Sequence, residues 1–327
     1  MKKPKIQRWI AVLLIICISA ALCACGETKK KKVEKTEEKK QEKVTEGPLL
    51  YKVTDGNGNV IWLLGSIHVG EEDYYPLPEY IMDAYEGSDK LAVECDIVAV
   101  EKDMSAQVSA LKQMIYLDGT KISNHISAEL YESAKAILEE NKLYSEMLDY
   151  YYPILWANFV DNVIIEKIGA KAELGIDRFF LKEAKEDGKE ILEVESVDFQ
   201  YGMLAGFSDE LQTVQLEAAI ESYHDSEKAK EELTELMDAW KKGDEKKLET
   251  LVGKETEFAS EEERLLYEEY YEAMYTSRNV AMTEFAENRL KAGEETFICV
   301  GAAHIVGEGA MVELLRNKGY KVELVRD

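Results

Sequence analysis

Two distant stretches of the chain share one pattern of apolar and polar positions. Residues 61–70 read Ile-Trp-Leu-Leu-Gly-Ser-Ile-His-Val-Gly, and residues 297–307 read Phe-Ile-Cys-Val-Gly-Ala-Ala-His-Ile-Val-Gly. Each is an apolar run, then Gly-x-x-His, a small apolar step and another glycine. A run of this length suits a buried strand. The glycine releases the backbone into a tight turn. The histidine then stands at the carboxyl end of the strand, where open α/β sheets place their ligands. Two imidazoles presented alike from distant parts of a chain point to one shared site.

The rest of the pattern frames these two segments. Residues 50–54 and 60–64 are apolar runs around Asp55-Gly-Asn-Gly58, a hairpin signal. Pro78 opens a helix to about 85, and residues 90–95 read as a strand carrying Glu94. Three- and four-residue spacing of apolar positions predicts helix over 97–168, interrupted once by Pro153. A helix over 172–187 stops at Gly188, and 191–194 reads as a strand followed by Glu195. Residues 209–275 are acidic and mostly helical. Helices over 278–291 and 310–318 flank the strand at 296–300, and 320–325 closes the chain as a strand. The expected architecture is α/β (α+β): a sheet core built from both chain ends, with a helical insertion at about 97–170 and 208–275.

The first residues bear on location. Lys2, Lys3, Lys5 and Arg8 precede an apolar stretch over 9–22, which is short for a membrane span and suits a signal peptide core. It ends Leu22-Cys23-Ala24-Cys25-Gly26, which resembles the bacterial lipobox. The resemblance makes residues 1–24 a signal peptide and Cys25 a site of lipid (palmitate-type) attachment. A signal peptide cut nearby, or an uncleaved anchor, is the alternative. Residues 25–46 are almost all Lys, Glu, Thr and Gln, a charged tether without apolar surface to bury. Residues 47–327 then form the folded domain, held by its amino-terminal lipid on the extracytoplasmic face of the cell membrane.

Charge narrows the partners. A formal charge of −25 excludes nucleic acid, which requires a basic footprint. It also argues against a protein lying flat on anionic lipid. Only Cys95 and Cys299 of the five cysteines fall in the body; they form either a disulfide or, more in keeping with strand positions, two buried thiols.

The residues that could carry chemistry are His68, Glu94, Glu195, Arg278 and His304. All but Arg278 sit at or just past the end of a predicted strand. Two histidines with one or two carboxylates suit a divalent metal with an open position, which would activate water. Here His68, His304 and Glu94 are the candidate ligands. Glu94 or Glu195 would take the proton, and Arg278 would hold a carboxylate or an oxyanion. The other two histidines, His125 and His224, lie in polar helical surroundings, are expected to be solvated, and receive no role. The helical His-Glu-x-x-His pattern of zincins is missing, as are a phosphate-cradling loop and a Gly-x-Ser-x-Gly elbow.

At these residues the chain resembles the TraB/GumN family, which also includes the animal Tiki proteins. The matching features, in order, are Gly65-x-x-His68, Val93-Glu94, Gly175-x-Asp177, Glu195 with Gln200, Arg278-Asn279 and Gly301-x-x-His304. The resemblance covers residues from about 50 to 327. It implies a membrane-tethered, metal-dependent protease in which the two histidines and Glu94 work on a metal, manganese or cobalt by family and zinc by ligand type. It also implies a distant likeness to erythromycin-esterase-type and haem-uptake folds. One branch of the family is linked to shutting down a peptide pheromone. Two functional classes therefore stand open: a metallohydrolase acting on peptide or protein substrates, and a non-catalytic lipoprotein that binds a peptide or other ligand. The second would use the acidic helices and the aromatic cluster at 150–156 as a groove.

Overall fold

The computed structural model describes residues 46–254 and 257–326. Cys25, the signal segment and nearly all of the tether lie outside the described residues.

Strands β1 (Leu50–Thr54) and β2 (Val60–Ser66) form the expected hairpin. Asp55 closes its turn, with Oδ1 accepting from the Asn57 and Asn59 amides. Strands β3 (Lys90–Val93), β4 (Glu190–Glu193), β5 (Thr296–Gly301) and β6 (Lys321–Val325) complete one sheet, in the order β4-β3-β5-β2-β1-β6. Strands β4, β3, β5 and β2 run parallel, while β1 is antiparallel to both β2 and β6. The fold is thus mixed α/β, and the carboxyl ends of four strands share one edge. Strand β5 comes late in sequence yet sits between β2 and β3, so the two ends of the domain meet at the sheet's centre. All of β5 is buried, as a parallel strand covered on both faces must be.

Helix α1 (Glu79–Glu86) follows Pro78. Residues 97–168 form several helices rather than one: α2 (Ile97–Val100), α3 (Met104–Lys112), α4 (Ala128–Glu140) and α5 (Pro153–Ile168). Asp96, Asp103 and Ser127 start the first three by accepting from the Ala99, Ser105 and Leu130 amides. Pro153 does not interrupt a helix but opens one, because a first-turn residue has no intrahelical N–H bond to lose. Helices α6 (Ile176–Asp187) and α7 (Val197–Ala205) flank β4. The acidic block then runs through α8 (Asp209–His224), α9 (Ser226–Lys242), α10 (Glu245–Val252) and α11 (Glu261–Tyr271). A π turn (Glu272–Thr276) leads into α12 (Ser277–Ala292), and α13 (Ala302–Ile305) and α14 (Met311–Asn317) frame the last loop.

Two details depart from expectation. Trp156 of α5 is fully buried in a core shared with α4 and α8, with Nε1 donating to Leu148 O at 2.8 Å, so it lines no groove. His125 is only partly solvated: it is half-buried, stacked on Tyr116 at 4.0 Å, with Nε2 2.8 Å from the Thr120 hydroxyl. Among the described residues, no helix is long and apolar enough to cross a membrane. Cys95 and Cys299 are buried free thiols.

The centre of the sheet rests on Phe297, which is fully buried against Phe180 (4.8 Å between ring centroids) and Tyr85 (5.7 Å). Phe297→Ala should cost about 3–5 kcal/mol of stability, read as a lowered midpoint in urea denaturation with an unchanged slope.

Candidate functional site

Strand register brings the sequence-predicted residues level. Ser66 pairs with Gly301 and Val93 with Cys299, so the exits of β2, β3 and β5 lie side by side. His68 stands two residues beyond β2, Glu94 directly after β3, and His304 in α13 just after β5. The ladder between β3 and β4 continues past the strands, with Val194 N donating to Val93 O and Glu195 N to Glu94 O, both at 2.8 Å. Glu195 is thereby laid beside Glu94. Arg278 reaches both carboxylates from the first turn of α12.

Arg278 is buried and almost saturated. Its Nε donates to Glu195 Oε1 (2.7 Å), Nη2 to Glu195 Oε2 and Glu94 Oε2 (2.8 Å each), and Nη1 to Met274 O (3.1 Å). Gln200 of α7 donates from Nε2 to the same two oxygens, Glu94 Oε2 at 3.1 Å and Glu195 Oε2 at 3.0 Å. The Cys95 thiol lies 3.6 Å from Gln200 Oε1 and fixes which way that amide points. Glu94 Oε1 accepts from Gly301 N at 2.7 Å. Burial alone would raise the Glu94 pKa. The Arg278 guanidinium, then the His304 and His68 imidazoles, overcome it and hold the carboxyl well below the usual range. Glu195 stands behind Arg278 and does not line the cavity. This removes it from the position a general base would need and makes it the anchor of Arg278.

The two histidines are held in opposite states. His68 Nδ1 lies 3.2 Å from Asp177 Oδ2. Burial pushes His68 down, but the Asp177 carboxylate more than reverses this and raises it to about 9. His304 Nδ1 lies 2.7 Å from Asn279 Oδ1, and Asn279 Nδ2 donates to Gly309 O at 3.0 Å. That second bond fixes the amide, so Nδ1 is the donor and Nε2 keeps its lone pair. Burial, and then the charge of Arg278, push His304 down to about 3. Asp177 is positioned by a close approach that only glycine permits: a Cβ at Gly175 would meet His68 O at 2.5 Å.

Both imidazoles and Glu94 face one cavity of about 50 Å³ at the sheet edge. A Cβ added to Gly301 would sit 3.1 Å from Glu94 Oε1, 3.6 Å from His304 Cδ2 and 3.9 Å from His68 Nε2. The space above Gly301 is therefore bounded by the three side chains that sequence reasoning named as ligands. Each Nδ1 is tied to an outer partner, which aims each Nε2 inward, an arrangement typical of ligating histidines. Asp177 Oδ1, also at the cavity, is buried without a partner. This donor set suits a divalent cation, although among the described residues no three His, Cys, Asp or Glu side chains already stand at ligand spacing. Asp177, Gln200 and Asn279 stood in the sequence motifs without a role; the structure gives each a partner in the site. Tyr275, on the cavity wall, carried no sequence signal beyond its place three residues before Arg278.

The model of the TraB/PrgY/gumN family matches residues 49–324, and the chain belongs to that family. Among curated proteins it is similar to "Uncharacterized protein YbaP" of Escherichia coli (strain K12), 25% identical over 258 residues, 78% of this chain and 87% of the relative. The protein of the same name from Shigella flexneri matches to the same extent. No solved structure matches the chain.

The His68–Asp177 pair gives a signed pH dependence in metal-free protein. His68 holds its proton up to about pH 9 when folded, against an ordinary value of 6.5. Its contribution to stability is complete below about 6.5 and is lost as pH rises through 9. NMR titration should show His68 titrating near 9 while His304 stays neutral down to about 3. Asp177→Asn should lower the His68 value, because only the Glu94 carboxylate then opposes burial; a value unmoved by the substitution would contradict the pairing.

Proposed function

We propose that the chain is a lipid-anchored, extracytoplasmic hydrolase that uses a divalent metal, manganese, cobalt or zinc, to cut peptide bonds. One observation carries this reading: two imidazoles and Glu94 bound one small cavity, each backed by a partner that fixes its orientation. His68 and His304 would hold the metal, with Glu94 beside them. When bound, such a metal supplies Lewis-acid polarisation of a carbonyl and makes water acidic enough to attack near neutral pH.

The chain's own residues do the rest. Asp177 keeps the Nδ1 proton of His68 and leaves Nε2 to the cavity, and Asn279 does the same for His304. Arg278, Gln200 and Gly301 N hold Glu94 ionised and fixed. Glu94 is thus suited to charge and position rather than to carrying a proton. A single water needs roughly 10–15 Å³ of such space, so the cavity admits an ion with a few waters, or one functional group. The scissile group enters and the remainder of the substrate stays outside. The non-catalytic alternative loses part of its support, since Trp156 is core rather than groove lining.

The test is a peptide pool incubated with the full chain and each metal, with products read by mass spectrometry. Cleavage should appear, vanish with chelator and vanish in a folded His304→Ala variant. Asn279→Ala, which releases His304 Nδ1, should weaken metal binding about 10–100-fold. A peptide that binds without being cut, and still binds after chelation and after both His→Ala changes, would support the carrier alternative instead.

A further inference from the structure

Resting on the hydrolase reading, attack on a carbonyl needs a donor for the oxyanion that develops. Arg278, the residue the sequence suggests, is already engaged through all three nitrogens by Glu94, Glu195 and Met274 O. Gln200 Nε2 is held between the same two carboxylates, and Gly301 N is bonded to Glu94. Ser66 Oγ is fully buried beside the Cys299 thiol and has no hydrogen-bond partner. Among the described residues lining the cavity, this leaves the hydroxyls of Ser66, which lies within β2, and of Tyr275, which stands on the wall beside His304.

We propose that Tyr275 is a further catalytic residue, its hydroxyl hydrogen-bonding the oxyanion that forms on the carbonyl under attack. The ring stands on the cavity wall, 5.8 Å from the His304 ring between centroids. Tyr275 lies in the π turn Glu272–Thr276, where Ser277 N reaches back to Glu272 O. Turns of this kind are frequent at functional sites. Tyr275, Arg278 and Asn279 follow at spacings of three and four, so all three are buried on the face turned toward the strand ends. The Tyr275 hydroxyl shares a hydrogen bond with Tyr270, whose ring lies 6.1 Å away. When Tyr275 accepts in that bond, its own proton is left for the cavity, and the bond holds the phenol in place. The role requires no proton transfer; the oxygen of the substrate only accepts.

The experiment uses the manganese-loaded full chain and inorganic phosphate as a tetrahedral oxyanion probe. Binding is measured by calorimetry in the wild type, Tyr275→Phe and Tyr270→Phe, beside turnover of the peptide pool. Tyr275→Phe keeps the ring against His304 and removes only the hydroxyl. It should weaken phosphate about 10–100-fold, the worth of a hydrogen bond to a charged group, with circular dichroism and metal content unchanged. Peptide kcat should fall about 10²–10³-fold with KM little altered. Tyr270→Phe should weaken phosphate severalfold, since it loosens Tyr275 without removing its hydroxyl; it decides the matter if Tyr275→Phe does not fold. Phosphate that fails to bind the wild type, or binds the variants equally well, overturns the assignment. Phosphate binding that depends on Tyr275 in a chain that cuts no peptide upholds the donor and rejects the peptidase reading.

Discussion

A single buried guanidinium holds the carboxyl ends of the sheet together. Arg278 joins α12 to the exits of β3 and β4 through Glu94 and Glu195, and Gln200 of α7 bridges the same two carboxylates. Burial would raise the Glu94 carboxyl, and the Arg278 guanidinium is the first of the charges that hold it ionised. Loss of one partner from a buried network of this kind costs about 3–5 kcal/mol, because the charges left behind have no water. The same arrangement fixes Glu94 against Gly301 N and so sets the floor of the cavity. The two histidines are secured separately, by Asp177 and Asn279, so the site has one rigid floor and two independently braced walls.

This construction explains why the site sits where both ends of the domain meet. Strand β5 inserts between β2 and β3, and the Gly-x-x-His after β5 comes to face the Gly-x-x-His after β2. The two histidines face each other only because β5 lies beside β2 in the sheet. The helical block between them supplies the cavity wall, through Met203 of α7 and Met274 and Tyr275 of the π turn. It thereby adds function as well as bulk to a largely acidic surface.

Much of this was legible in the sequence, for physical reasons that differ by residue. The hairpin and β5 could be read because an apolar run bounded by turn glycines has few other folds. The two histidines could be read because the strand-glycine-histidine order is the same in both places. The helices over 97–168 were harder: Pro153 looks like a break until its position in the first turn of α5 is known. Glu195 reads in the sequence as a candidate proton acceptor at a strand end, and only the continued ladder beyond β4 shows it turned onto Arg278. Asp177, Asn279 and Tyr275 act through contacts between segments far apart in the chain, and no periodicity carries that information. Gly175 is the exception, since its place beside the His68 carbonyl accounts for the Gly-x-Asp spacing once the fold is in view.

The proposed function requires that His68 and His304 serve one metal. The most direct measurement is metal content. The full chain and a His68→Ala, His304→Ala double variant would each be exposed to manganese, cobalt or zinc, desalted and submitted to elemental analysis. About one metal per wild-type chain is expected, and none in the folded double variant. No metal in either protein, or metal retained equally by both, would contradict the proposed function.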